Sequence, residues 1–310
     1  MLPRLTALPL IVLLGVAGTA TSREPSKPRE SVSTRAESTV VILLGTGVPR
    51  PDPDASGPAT AIVVGARVFL FDAGAGVMRR VSAAGLPTNG VTALFFTHLH
   101  SDHTLGYPDV IFTTWLTGRH RPLEVYGPHG LSAMTDHILA AWKADIDVRT
   151  NGLEHESPNG YAVHVHEISS AVVYDSGGVK ITAIPVLHGS WPEAFGYRID
   201  TPDRSIVISG DTRPAPSIER AARGVDVLIH EVYPEGAARR PDVDPAEWAK
   251  YMRAFHTSDA ELGRLAAAAN PKLLIIYHFG ARAMADAVIA AIHREGFQGR
   301  VVVGKDLDRF

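Results

Sequence analysis

Short apolar runs separated by Gly- and Pro-rich loops dominate the chain after about residue 39. The runs VVILLG at 40–45 and VTALFFT at 91–97 have the length and the β-branched or aromatic content of buried strands. Later runs such as KLLIIYH at 272–278 alternate with segments of helical apolar spacing, such as SDAELGRLAAAAN at 258–270. The pattern predicts layered sheets with helices outside them and a site built from loops at one edge.

The first twenty residues differ from the rest of the chain. Arg4 precedes an apolar run over 5–17, and the small residues Gly18 and Ala20 follow it. This order is typical of a secretory signal peptide, and a run of about 13 apolar residues is shorter than the ~20 that span a bilayer. We therefore predict a signal peptide over 1–20 and a periplasmic or secreted product, which has no membrane association after cleavage. The alternative is an uncleaved membrane anchor.

The next stretch, over 21–38, is polar, contains two prolines and shows no apolar period. Such a composition favours a disordered spacer. The folded domain is then expected over 39–310, where no segment has the composition of a linker.

Composition narrows the chemistry. The chain has 30 basic and 33 acidic residues and a formal net charge of −3, so we expect no stable nucleic-acid binding from an overall positive field. It has no cysteine, which excludes disulfides, thiolate ligands and a cysteine nucleophile. The candidate chemistry therefore lies with the 14 histidines and their acidic neighbours.

The segment THLHSDH, directly after the predicted strand at 91–97, concentrates His98, His100, Asp102 and His103. Neutral imidazole and carboxylate are ligands of zinc and similar divalent ions. Alternation along an extended chain places His98 and His100 on one side, and a turn can direct Asp102 and His103 to a second point nearby. The spacing favours two metal ions, and the alternative is a histidine-rich solvated loop.

This HxHxDH segment at a strand end resembles the signature of the metallo-β-lactamase superfamily. Further motifs follow in the family's order, since IPVLHG supplies His188, SIVISGDT supplies Asp211 and LLIIYH supplies His278. The resemblance implies a four-layer αβ/βα fold, in which two mixed sheets lie between helices and the site lies at one edge.

The resemblance also implies a ligand set and two divalent ions as cofactors, with zinc as the expected ion. One ion would be held by His98, His100 and His188, the other by Asp102, His103 and His278, and Asp211 would bridge them. Asp102 is also placed among the catalytic residues. Two such ions can activate a water and polarise a scissile centre together.

Two more motifs indicate a branch of the family. The lack of cysteine favours ester-cleaving branches, and Glu231 in VLIHEVY and His256 in FHTSDAE resemble motifs of the ribonuclease Z branch. In that branch, which includes phosphodiesterases and an arylsulfatase subgroup, the histidine faces the leaving group and the glutamate orients it. A carboxylate-paired histidine can protonate a departing alkoxide. The alternative is a surface ion pair.

Members of the branch that process transfer RNA usually carry a long arm, but only 22 residues separate His188 from Asp211 here. The acidic charge and the leader point away from RNA, and LLGTG, VYGPHG and FGYRID resemble the exported arylsulfatase-like subgroup. We therefore predict an exported binuclear hydrolase of small-molecule phosphate or sulfate esters, compatible with a homo-oligomer. The alternatives are a ribonuclease Z-type endoribonuclease, a lactonase or β-lactam hydrolase, and a non-enzymatic periplasmic zinc-binding protein.

Overall fold

The computed structural model of the protein describes residues 38–237 and 241–310. The predicted signal peptide over 1–20 lies outside the described residues, as does the predicted spacer except for its last residue. Within the described part of the chain, every helix is too short or too polar to cross a bilayer.

Six strands form the first sheet, in chain order from one edge to the other. They are β1 (Thr39–Gly45), β2 (Ala59–Val64), β3 (Arg67–Phe71), β4 (Val91–Phe95), β5 (Leu123–Gly127) and β6 (Val163–Glu167). The first three pair antiparallel, and β3 to β6 pair in parallel. The sheet is therefore mixed.

Seven strands form the second sheet, in the order β13-β12-β11-β10-β9-β8-β7. They are β7 (Ala171–Ser176), β8 (Val179–Val186), β9 (Ala194–Asp200), β10 (Ser205–Ile208), β11 (Val227–Glu231), β12 (Leu273–Tyr277) and β13 (Arg300–Val303). Strands β7 to β10 pair antiparallel and β10 to β13 in parallel, so this sheet is mixed as well.

The helices connect the strands. They are α1 (Val77–Ala83), α2 (Ser101–Thr104), α3 (Tyr107–Leu116), α4 (Leu131–Ala141), α5 (Lys143–Asn151), α6 (Pro216–Ala221), α7 (Pro245–Phe255), α8 (Asp259–Ala269) and α9 (Ala285–Arg294), with a 3-10 turn at Arg282–Met284.

Three apolar clusters hold the layers together. Between the sheets, Phe71 and Phe95 of the first sheet pack against Tyr197 of the second, with ring centroids 5.4 and 5.7 Å from the tyrosine. A second cluster packs α1, α3 and α4 on the outer face of the first sheet, and a third packs α6, α8 and α9 on the second. The predicted four-layer αβ/βα fold is confirmed.

Candidate metal centre

The strand directions bring the candidate ligands to one edge of the two sheets. His98 follows β4, Asp211 follows β10 and His278 directly follows β12, while His188 follows β8. Because β10 and β12 run in the same direction through β11, their carboxyl ends lie at the same edge. Ligands commonly bind at that edge in α/β proteins.

The first three predicted ligands converge through their ring nitrogens. His98 Nε2 lies 2.9 Å from His100 Nδ1, and His188 Nε2 lies 3.1 Å from the same atom. The rings of His98 and His188 are buried, at 0% and 1% exposure. Three imidazole nitrogens this close suit one shared cation.

The other predicted ligands form a second group. His278 Nε2 lies 3.1 Å from Asp102 Oδ2, and His103 Nε2 lies 3.6 Å from that oxygen. Asp211 Oδ2 lies 3.6 Å from His103 Nε2, 3.7 Å from His278 Nε2 and 3.9 Å from His188 Nε2. The Asp211 carboxylate thus lies between the two groups, as a bridging ligand must.

Two buried polar atoms support the fit of this site to metal ions. Within the described residues, His103 Nε2 and Asp211 Oδ1 have no hydrogen-bond partner. A buried polar atom without a partner is destabilising, and a cation between these side chains would satisfy both. The residues present therefore fit divalent metal ions.

The local electrostatics keep three of the donors in their ligand forms, whereas at His103 the effect of burial is outweighed by Asp72 and Asp211, which raise its pKa well above the usual value. Burial, followed by the charge of His188, lowers the pKa of His100 to about 4, and burial lowers the pKa of His98 well below its usual value. Burial opposes ionisation of Asp211, but His278 and His103 outweigh it and hold the pKa of its carboxyl well below the usual value. Neutral imidazoles and an ionised carboxylate are the forms that bind metal.

Asp72 supports the centre from behind, and the sequence analysis missed it. Its carboxylate accepts hydrogen bonds from the Thr97 backbone N–H and from His103 Nδ1, both at 2.8 Å. A carboxylate on Nδ1 sets the tautomer of His103 and leaves Nε2 free for a metal. In the sequence, Asp72 follows a predicted strand in FDAGAG, but an aspartate before two glycines is equally typical of a tight turn, so its role could not be predicted.

The buried Glu231 and the half-buried His256 form a pair beside the ligands. His256 Nδ1 lies 3.3 Å from Glu231 Oε1, and the backbone N–H groups of Thr212 and Thr257 donate to the same oxygen at 3.2 Å. The His256 ring centroid is 5.2 Å from that of His188. Burial opposes protonation, but Glu231 outweighs it and raises the pKa of His256 to about 9. An imidazole whose proton Glu231 stabilises is therefore placed beside the centre, with a ligand atom within 4.8 Å of those of His188 and Asp211.

A cleft and a tryptophan border the centre. The Pro-rich loop over 48–57, Asp102 and the exposed Leu105 line a cleft of about 680 Å³. Trp191 has its Nε1 2.6 Å from His100 Nε2. The candidate ligand Asp102 is therefore reachable from this cleft.

Comparison with known proteins places this geometry in a wider group. A profile described as the Beta-lactamase superfamily domain matches residues 67–279. A Ribonuclease Z of Mycobacterium marinum is 35% identical over 283 residues, covering 87% of this chain and 97% of that protein. A Ribonuclease Z of Mycobacterium bovis is 34% identical over 275 residues, covering 87% and 96%.

Solved structures agree on the fold. A metallo-beta-lactamase fold protein from Bacillus subtilis superposes with a TM-score of 0.68 at 18% identity, covering 88% of this chain and 98% of its own. Human tRNase Z, short form, superposes with a TM-score of 0.65 at 23% identity, covering 87% and 98%.

These relatives show that three expectations were wrong. The chain is not an exported, arylsulfatase-like hydrolase of small-molecule phosphate or sulfate esters, because its relatives over most of its length are ribonucleases. The expectations of no nucleic-acid binding and of a periplasmic or secreted location fail with it. A net charge of −3 averages over the whole surface and does not describe the field at one cleft.

The missing arm was a poor discriminator. The Mycobacterium marinum alignment spans 283 residues and 87% of this chain, which leaves no room for a long insertion in that relative. The short segment between His188 and Asp211 therefore does not separate this chain from ribonucleases Z of similar length.

The first prediction concerns Asp72. Asn at this position tolerates the left-handed backbone (φ 60°) but does not hold His103 Nδ1–H with a charge. We expect Asp72→Asn to lower zinc affinity about 10- to 100-fold, measured by chelator competition. Asp226→Asn is the control. Asp226 also accepts a hydrogen bond from a backbone N–H, but it lies before β11, at the end of that strand opposite to Glu231 and the candidate ligands. Equal affinities in the Asp72 variant and wild type would contradict this role.

The second prediction concerns Trp191. A metal on His100 Nδ1 leaves Nε2 protonated, and an indole N–H can only donate, so the contact with Trp191 cannot persist as a hydrogen bond. We expect the indole to move, and tryptophan emission to change, during zinc titration of the apo chain. Trp191→Phe should abolish the change, whereas Trp142→Phe, at the exposed junction of α4 and α5, should keep it. Constant wild-type emission despite bound zinc would refute this.

Proposed function

We propose that this chain, which belongs to the metallo-β-lactamase superfamily and to its ribonuclease Z branch, is an endoribonuclease that cleaves a phosphodiester bond in precursor transfer RNA. The chain is a metal-dependent hydrolase that acts on ester bonds. The observation that carries the proposal is the Glu231–His256 pair beside the ligand set, since it offers a proton to a basic leaving group.

The ligand set supports two ions, which we propose to be zinc because imidazole and carboxylate suit it. His98, His100 and His188 would hold one ion, Asp102, His103 and His278 the other, and Asp211 both. Bound divalent ions would act as Lewis acids toward phosphoryl oxygens and lower the pKa of water at the site.

His256 is proposed as the leaving-group acid. Glu231 Oε1 accepts a hydrogen bond from His256 Nδ1–H and so stabilises the imidazolium. Two backbone N–H groups donate to the same carboxylate oxygen and fix its position. The His256 side chain retains 13% exposure, so its other nitrogen is open to a substrate. From there it donates a proton to the ribose oxygen as the phosphorus–oxygen bond breaks.

Asp102 is proposed to act on the other side of the reaction. It lines the cleft, and its Oδ2 lies 3.1 Å from His278 Nε2, its neighbour in the proposed ligand set. A carboxylate held in this way can accept a proton from the attacking water. The two proton transfers are then assigned to separate side chains.

The third prediction tests this assignment. His256→Ala should lower RNA cleavage about 10²- to 10⁴-fold, because a ribose oxygen departs poorly without a proton. Hydrolysis of bis-p-nitrophenyl phosphate should fall far less, since p-nitrophenolate departs readily. The assay uses a precursor transfer RNA with a 3′ trailer, and metal content is measured on the same samples. His129→Ala, which removes an exposed histidine paired with Glu193, is the control.

Three results would contradict the proposal. A metal-loaded chain that hydrolyses the small diester but leaves the RNA intact would reject the substrate. Equal losses on both substrates would assign His256 to substrate positioning. Loss of metal from His256→Ala would make His256 a ligand, which its distance from His188 and Asp211 allows.

A further inference from the structure

Helix α7 presents an aromatic face that the described part of the chain covers only in part, since Tyr251 is exposed and Trp248 and Phe255 are half-buried. Trp248, Tyr251 and Phe255 follow helical spacing and share one side of the helix, yet none of the residues of α7 is fully buried. The ring centroids of Trp248 and Tyr251 are 5.4 Å apart, and those of Tyr251 and Phe255 are 4.6 Å apart. We name these three residues the α7 ridge. A surface helix usually buries its apolar stripe fully against the core, so the exposed part of this face can contact another partner.

The α7 ridge leads directly to the metal centre. At its inner end, His188 Nδ1 donates to the Phe255 carbonyl at 2.7 Å, and the two rings have centroids 5.0 Å apart. A Cβ on Gly189 would overlap the Phe255 ring, so the backbone after His188 lies flat against it. The ridge therefore begins at a metal ligand and extends away from it.

Tyr251 lies where the ridge meets the proposed acid. Its ring centroid is 6.0 Å from that of His256, and its side chain is 39% exposed. Within the described residues its hydroxyl has no hydrogen-bond partner. Burial and the negative charges of Asp211 and Asp102 raise the pKa of Tyr251, so the phenol stays neutral. An exposed, neutral aromatic ring beside a leaving-group acid suits an unpaired base.

Cationic groups accompany the ridge. Lys250 and Arg253 lie on α7 and are exposed. Lys250 Nζ is 3.9 Å from Glu247 Oε2, and an exposed ion pair of this kind is weak. Arg253 forms no ion pair within the described part of the chain. Proteins that bind single-stranded nucleic acid combine aromatic rings, on which bases stack, with cations along the backbone. A protein partner could also bind this apolar surface, but protein binding would not explain why the ridge ends beside the proposed site of phosphodiester cleavage. That position favours RNA.

We propose that the α7 ridge is a base-stacking platform for the unpaired nucleotides on the leaving-group side of the scissile phosphate, with Tyr251 and Trp248 each contacting one base. This inference rests on the proposed ribonuclease function. The leaving-group side follows from Tyr251, which lies beside His256, the group that protonates the departing oxygen. The platform would bind RNA through a helix of the folded domain itself.

The fourth prediction is tested with Tyr251→Ala and Trp248→Ala. Stacking one base contributes roughly 5- to 100-fold in affinity, so each variant should raise KM for the precursor RNA by that factor. Turnover of bis-p-nitrophenyl phosphate and metal content should not change. Tyr251→Phe should keep most of the RNA affinity, because stacking needs the ring and not the hydroxyl. Trp142→Ala, which removes an exposed tryptophan at the α4–α5 junction, is the matched control.

A binding assay separates this inference from the proposed function. Anisotropy of a labelled, short, unstructured RNA is measured with the metal-loaded chain and the same variants. Weaker binding in Tyr251→Ala and Trp248→Ala supports the platform even if the precursor RNA is not cleaved. Unchanged binding and KM in both variants would overturn it, as would an equal rise in KM for the small diester, which would assign the ridge a structural role. Binding of a protein rather than RNA would overturn it too.

Discussion

A buried carboxylate between two groups of imidazoles is the interaction on which the rest of the structure depends. Asp211 is 3% exposed, and its Oδ2 lies within 3.9 Å of nitrogens from His103, His188 and His278. An ionised group in this position is strongly destabilising unless positive charge compensates it. The two sheets fix the positions of these side chains, and a bound cation would compensate the buried charge.

Much of this centre was predictable because it is local or lies at strand ends. His98 to His103 form one segment whose residue types alone indicate a metal site. Asp211 and His278 were assigned through the family resemblance, and the observed topology places both after strands that end at one edge. Strand β7 was not predicted, because AVVYDS is half polar and largely exposed at the edge of its sheet. Its pairing with β8 comes from tertiary context rather than from its own pattern.

The supporting residues were not predictable for a different reason. Asp72 precedes His103 by 31 residues, and only the pairing of β3 with β4 places its carboxylate behind that ring. The amphipathic pattern of α7 predicts a helix but does not tell which surface its aromatic face meets. Substrate class was misjudged because net charge was used where local geometry decides. Each divalent ion held at Asp211 would add two positive charges to the site, and the net charge of the sequence does not include them.

The most direct test of the account is the metal content of the chain and its dependence on the bridging carboxylate. Zinc-loaded, desalted wild type and Asp211→Asn are compared by elemental analysis. A carboxylate shared by two ions predicts roughly two equivalents of zinc in wild type and substantial loss of both in the variant. One equivalent or less in wild type, or full zinc retention in Asp211→Asn, would contradict the central claim that Asp211 joins two metal sites.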